Sequence, residues 1–248
     1  MDLNIAGRNA IVCAASQGLG RACAMALAAE GVNVVINGRT RETLEQTAAD
    51  IRALGTGVEV KMVIGSITDP SIRTDLVESF ETIDILLNNA GGPPPGDFRD
   101  WDRDDWISAL DQNMLSAIDM VRRTIDGMKA REFGRIVNIT SSSVRMPISV
   151  IGLSNAARAG LTGFLKGLVP EVSPHGVTIN NLLPGPFDTN RLRRSKDITK
   201  HLTGNPVAGR VGDPAELGAT CAFICSTHSA YLNGQNILLD GGLNPCSF

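Results

Sequence analysis

The chain has little tyrosine, histidine or excess charge. It holds one tyrosine, and aromatic residues make up only 4% of it. Its three histidines share no ligand spacing. No apolar run approaches the roughly 18 residues of a membrane span, and residues 1–30 have no basic start leading to a small-residue cleavage site. We therefore expect neither membrane insertion nor secretion. Charge of one sign is lacking as well, since 23 Lys+Arg stand against 26 Asp+Glu for a formal net charge of -3. Without a basic excess to displace counterions from phosphates, a free-standing nucleic-acid binder is not expected. The five cysteines, Cys13, Cys23, Cys221, Cys225 and Cys246, are odd in number and scattered. Cys221 and Cys225 have no second Cys/His pair nearby, so the pattern predicts reduced core thiols in a cytoplasmic protein, with no metal site and no disulfide staple.

Apolar residue is plentiful. At 43% hydrophobic and 20% charged over 248 residues, the chain has the composition of a folded protein. A single domain of this size buries about 70–75% of its unfolded surface. Short runs rich in Val, Ile and Leu lie near 9–14, 32–37, 58–64, 83–88, 134–140, 176–183 and 235–239. Near-continuous apolar runs of this kind suit strands buried on both faces. Helical patterns alternate with them near 18–30, 40–54, 69–80, 103–130, 150–170 and 213–227. Thr40, Asp69-Pro70 and Asp213-Pro214 supply helix-start signals. The alternation predicts one α/β domain, a Rossmann-type doubly wound parallel sheet of about seven strands with helices on both faces.

Two stretches have no period. Gly91-Gly92-Pro93-Pro94-Pro95-Gly96 reads as a stiff loop leaving strand four. Residues 184–206 follow strand six at the carboxyl edge of the sheet, where ligands bind in such folds, so a short lid is expected around 186–206. The first strand runs into Ser16-Gln17-Gly18-Leu19-Gly20 and then an Ala-rich helix. Glycines there let backbone approach a pyrophosphate, and the helix start offers it unpaired N–H groups. A purely structural glycine turn would look the same.

Several motifs in order point further. Ala14 to Gly20 resembles the TGxxxGxG loop of the short-chain dehydrogenase/reductase family. Leu87-Asn88-Asn89-Ala90-Gly91 resembles its NNAG motif, and Asn113, with six residues between it and Trp106, its helix asparagine. Gly134 to Ser141 looks like its fifth strand with the family serine. Pro184-Gly185 and Thr189 look like its PG…T segment, and Leu239-Asp240-Gly241-Gly242 like its closing strand. The likeness spans the whole chain and most resembles a divergent β-ketoacyl-carrier-protein-reductase branch. It implies a nicotinamide dinucleotide held by Ser16, Gly18, Leu19, Gly20, Arg39, Asn89, Ala90, Gly91, Pro184, Gly185 and Thr189. With no acidic residue after strand two, Arg39 favours NADP over NAD through the 2′-phosphate; a solvated cation at a helix start is the plainer reading of it.

Departures from the pattern are equally specific. Ala14 replaces the loop's first glycine, and Ser66 replaces an Asp that contacts adenine, so binding of the dinucleotide is itself open. In the family a Tyr-x-x-x-Lys pair carries the proton chemistry, with lysine one helical turn from tyrosine and lowering its pKa. Aligned on that pattern, Ile151 stands for tyrosine and Asn155 for lysine, while Asn113 and Ser141 remain. General acid–base catalysis contributes about 10²–10⁴-fold, so its loss is costly.

Three readings follow. In the first, the chain is a non-catalytic subunit paired in a dimer or tetramer with an active homologue, through helices near 103–130 and 150–170, in an enzyme acting on hydroxyacyl or ketoacyl (CoA-type) substrates. The lid supports it, with only 20 residues between Thr189 and Arg210. In the second, the chain is a divergent active ketone or 3-oxoacyl reductase using Ser141, Asn113 and water, or Ser154 or Arg158 on the same helix; a structural ion pair is the competing role for Arg158. In the third, it is a dinucleotide-binding regulator. Arg191, Arg193, Arg194 and Lys196 form a basic patch that could meet the phosphates of an acyl thioester, or be a solvated loop.

Overall fold

The computed structural model describes residues 1–194 and 206–245. Lys196, Cys246 and most of the second half of the expected lid lie outside that range.

Seven parallel strands form one sheet. They are β1 (Asn9–Val12), β2 (Asn33–Gly38), β3 (Val60–Ile64), β4 (Ile85–Asn88), β5 (Gly134–Ile139), β6 (Val177–Pro184) and β7 (Asn236–Leu239), in spatial order β3-β2-β1-β4-β5-β6-β7. The order reverses between β1 and β4, which opens a crevice at their carboxyl ends. Two apolar cores sandwich the sheet. One packs Leu27 of α1 (Gly18–Ala29), Leu44 of α2 (Arg41–Arg52) and Leu217 of α8 (Pro214–Cys225) beneath the strands. The other packs Leu76 of α3 (Pro70–Glu78), Met120 of α5 (Ser116–Ala130) and Leu165 of α6 (Gly152–Val172) on the opposite face. Central strands β4 and β5 are buried along their whole length, whereas edge strands β3 and β7 are half-buried. The near-continuous apolar runs of the sequence reflect that two-sided burial.

Helix starts follow the sequence in part. Asp69 accepts from the Ser71 N–H, and Asp213 forms a reciprocal capping box with Glu216. Thr40 occupies its N-cap position without using its side chain. The helix expected over 103–130 is three pieces: α4 (Arg103–Leu110), a π-turn (Asp111–Leu115) and α5. The wide turn inserts no Pro or Gly, so apolar periodicity gave no sign of it. Its effect is local: Asn113, inside the turn, is buried and turned toward α6.

An asparagine ladder runs across the sheet from β4 to β7, buried at Asn88, Asn138 and Asn181 and half-buried at Asn236. Asn88 donates to Asn138 (2.9 Å), Asn138 to Asn181 (3.1 Å) and Asn181 to Asn236 (2.8 Å). These residues are register partners on β4 to β7. Each carboxamide thus satisfies its neighbour where an unpaired polar group would be expensive. On the outer face of α5, Asp119 gathers Arg73, Arg122 and Arg123 at 2.6–2.8 Å. Cys13, Cys23, Cys221 and Cys225 are buried free thiols, and burial pushes Cys13 up to about 12, so it stays protonated.

Candidate active site

The loop after β1 is tied to both neighbouring strands. Cys13 N–H donates to Leu87 O (3.0 Å), and Ala15 N–H donates to Asn37 O (2.7 Å). Between them Ala14 takes φ +48°, a left-handed conformation that suits glycine, so the alanine is held there under mild strain. Asn89 clamps its carbonyl from the other side at 3.3 Å. Gly20 packs directly under that carbonyl: a Cβ on Gly20 would fall 2.3 Å from Ala14 O. Gly20 is therefore a packing glycine of α1, and it lies behind the cleft lining rather than in it.

The loop opens onto a cleft of about 320 Å³, within the range of small-molecule sites. Ser16, Gly18 and Leu19 form its floor, with Arg39 exposed at one end beside Ser66. Asn89, Ala90 and Gly91 form a second wall. Pro184, Gly185 and Thr189 form the third, with α7 (Asn190–Arg194) continuing over it. The Asn190 amide reaches back across the cleft to Gln17 (3.1 Å). The expected cofactor residues, Gly20 apart, thus converge on one cleft. They fit a nicotinamide dinucleotide: glycine backbone at the helix start for phosphate, and arginine rather than carboxylate at the far end. The lining contains Arg39, Arg158 and Arg191 and, among the described residues, no Asp or Glu.

Two positions of the family's catalytic pattern line the same cleft. Ser141 lines it, and its Oγ accepts from the Ser143 N–H at 3.1 Å, leaving the hydroxyl proton to donate. Ile151 lines it too, 7% exposed, where the resemblance puts a phenol. Asn155 does not line the cleft. Its amide donates to Ile148 O (2.8 Å) and fastens the turn ahead of α6. The lysine position of the pattern has thus become a loop tether.

Arg158, one turn further, enters instead. It is 6% exposed and donates to Ile139 O (2.8 Å), Thr140 O (2.9 Å), Ser154 Oγ (3.1 Å) and Asn113 Oδ1 (3.0 Å). No carboxylate partners it among the described residues, so the structural ion pair weighed from sequence is absent there. Burial, then the nearby Arg191 guanidinium, pushes Arg158 down to about 10. It remains a cation at neutral pH and lines the cleft. Asn113 itself lies in a small recess behind the lining, shared with Arg158 and Ala90. Gln112, also lining the cleft, was not anticipated; a lone Gln in a helix carries no sequence signal.

Comparison with known proteins accords with this geometry. A profile of the enoyl-(acyl carrier protein) reductase family matches residues 13–244. The chain is 32% identical to the 3-oxoacyl-[acyl-carrier-protein] reductase FabG of Vibrio cholerae, covering 97% of this chain and 99% of that one. The chain belongs to the short-chain dehydrogenase/reductase family. Another relative in it is the NADPH-dependent reductase BacG of Bacillus subtilis, 31% identical over 95% of this chain and 97% of its own. Among solved structures, L-sorbose reductase from Gluconobacter frateurii, in complex with NADPH and L-sorbose, superposes with a TM-score of 0.90 at 28% identity over 98% of each chain. The short-chain dehydrogenase/reductase fold expected from the motifs is the fold observed.

Proposed function

We propose that the chain is an NADP(H)-dependent carbonyl reductase in which the buried Arg158 cation supplies the positive charge that lysine supplies in the family pattern. The observation that carries this reading is Arg158 itself, bound to Asn113 Oδ1 at 3.0 Å, free of any described carboxylate, and lining the same cleft as Ser141. Burying a charge without a counter-ion is costly, and here hydrogen bonds to Ile139 O, Thr140 O, Ser154 Oγ and Asn113 Oδ1 hold it at the cleft lining. The relatives that act as NADPH-dependent or 3-oxoacyl reductases support the same direction.

Bound NADPH would supply the hydride. Ser16, Gly18 and Leu19 would hold its pyrophosphate, and Arg39 its 2′-phosphate. Ser141 Oγ–H would donate to the carbonyl oxygen, and the Arg158 field would stabilise the negative charge that grows there. Ile151 offers no proton, so the proton comes from water entering at the cleft mouth. A 3-oxoacyl or other ketone is the substrate class this arrangement can reduce.

Fluorescence titration of the purified chain with NADPH and NADH tests the cofactor half. NADPH should bind more tightly, and Arg39→Ala should erase the preference. Oxidation of NADPH with a panel of ketones and 3-oxoacyl thioesters tests the chemistry, and Ser141→Ala should remove the rate. If the chain alone is inert but becomes part of an active complex with a homologue carrying Tyr-x-x-x-Lys, the subunit reading replaces this one.

A further inference from the structure

The cleft holds two arginines besides the one placed for the dinucleotide's 2′-phosphate. Loop N–H groups can meet the pyrophosphate, and Arg39 stands at the far end. Arg158 and Arg191 remain, the first buried and the second exposed, both lining the cleft with no acid in the described lining. Arg191 projects from α7 across the opening. Its guanidinium lies against Gly92, close enough that a Cβ there would fall 2.3 Å from Nη2. The glycine-rich loop after β4 thus makes room for it. The nearest carboxylate along the chain, Asp188, is taken in bidentate fashion by Arg193, at 2.8 and 2.7 Å. Arg191 is left with no carboxylate among the described residues. The two cations are close enough for Arg191 to depress Arg158. Like charges sharing one cleft repel unless an anion enters between them.

We infer that the substrate carries a carboxylate that docks on the Arg191 guanidinium while its ketone faces Ser141 and Arg158. The inference rests on the reductase reading for the ketone, but the anion site stands on Arg191 and Gly92. Arginine suits this role, because its planar fork can grip both oxygens of a carboxylate. Arg191 also sits on a short helix at the rim, where it can close over a ligand.

The test uses three keto acids, pyruvate, acetoacetate and levulinate, whose carboxylates lie progressively further from the ketone, each paired with its neutral methyl ester. Binding to the NADP⁺-loaded protein is read first, by thermal shift and by tryptophan fluorescence, without any need for turnover. At least one acid should bind about tenfold or more tighter than its ester. Arg191→Gln should collapse that ratio toward one, and Arg193→Gln, whose side chain is paired outside the lining, should preserve it. In turnover the same collapse should appear in KM. Equal binding of acids and esters by the unaltered protein overturns the inference. So does an Arg191→Gln variant that weakens NADPH, acid and ester alike, since the guanidinium would then serve the cofactor's phosphates. An acid-over-ester preference in binding without any turnover would keep the anion site and defeat the reductase reading instead.

Discussion

Arg158→Met is the most informative single change. Methionine roughly fills the aliphatic part of the side chain and removes the charge and every donor. A unit charge about 6 Å from a developing oxyanion, at an effective dielectric of about 20, is worth about 3 kcal/mol, or about 100-fold in rate. The variant should therefore lose about two orders of magnitude in kcat/KM for ketone reduction. Arg158→Lys, which keeps a cation, should recover a large part of it. Effects on stability oppose each other: a costly buried charge disappears, while Asn113 Oδ1, Ile139 O and Thr140 O lose their donor. Melting curves would establish that each variant is folded before rates are compared. Because Arg158 sits at about 10, the active form is the protonated one, and the rate should fall as pH rises through about 10. The assay is NADPH absorbance at saturating cofactor across pH. A folded Arg158→Met enzyme with undiminished kcat/KM would refute the reasoning.

Gly20→Ala places a methyl against the Ala14 carbonyl; the loop must shift, and NADPH affinity should drop tenfold or more in a fluorescence titration. Asn138→Leu would leave the Asn88 amide and Asn181 Oδ1 buried without partners, so denaturant melts should show a loss of about 2–4 kcal/mol. Asp119 is raised by burial but lowered further by Arg122, Arg123 and Arg73, which hold it well below the usual carboxylate range. Its contribution to stability is full above the ordinary carboxylate pKa of about 4 and is lost as pH falls below that value toward the depressed one. Asp119→Asn should therefore lower the melting temperature at neutral pH and flatten its decline in acid.

The sheet was readable because its strands are buried on both faces, which leaves unbroken apolar runs such as Ile85–Asn88 and Gly134–Ile139. The cleft was readable because its wall residues are backbone-defined: glycines, Pro184 and the Asn89-Ala90-Gly91 turn mark the chain wherever they occur. Other features depend on distant partners and left little or no local trace. The π-turn at Asp111–Leu115 has the same apolar spacing as an ordinary helix. The four-asparagine ladder joins residues as far apart as Asn88 and Asn236, and only strand register brings them together. Asn155 takes the place of the motif's lysine, and only the fold shows its amide bound to Ile148 O rather than lining the cleft. Arg158 shared a helix face with Ile151, which suggested proximity to the site. Its surroundings, the segments after β4 and β5 and the π-turn that carries Asn113, come together only in the fold.

The direct test of the account is single-turnover hydride transfer by the purified chain alone. Mixing it, pre-loaded with stoichiometric NADPH, with a 3-oxoacyl thioester or keto acid should bleach the reduced nicotinamide once per active site. Ser141→Ala and Arg158→Met should each slow that step at equal cofactor occupancy. Bound NADPH that persists unchanged against every ketone offered would contradict the claim that this cleft performs the reduction.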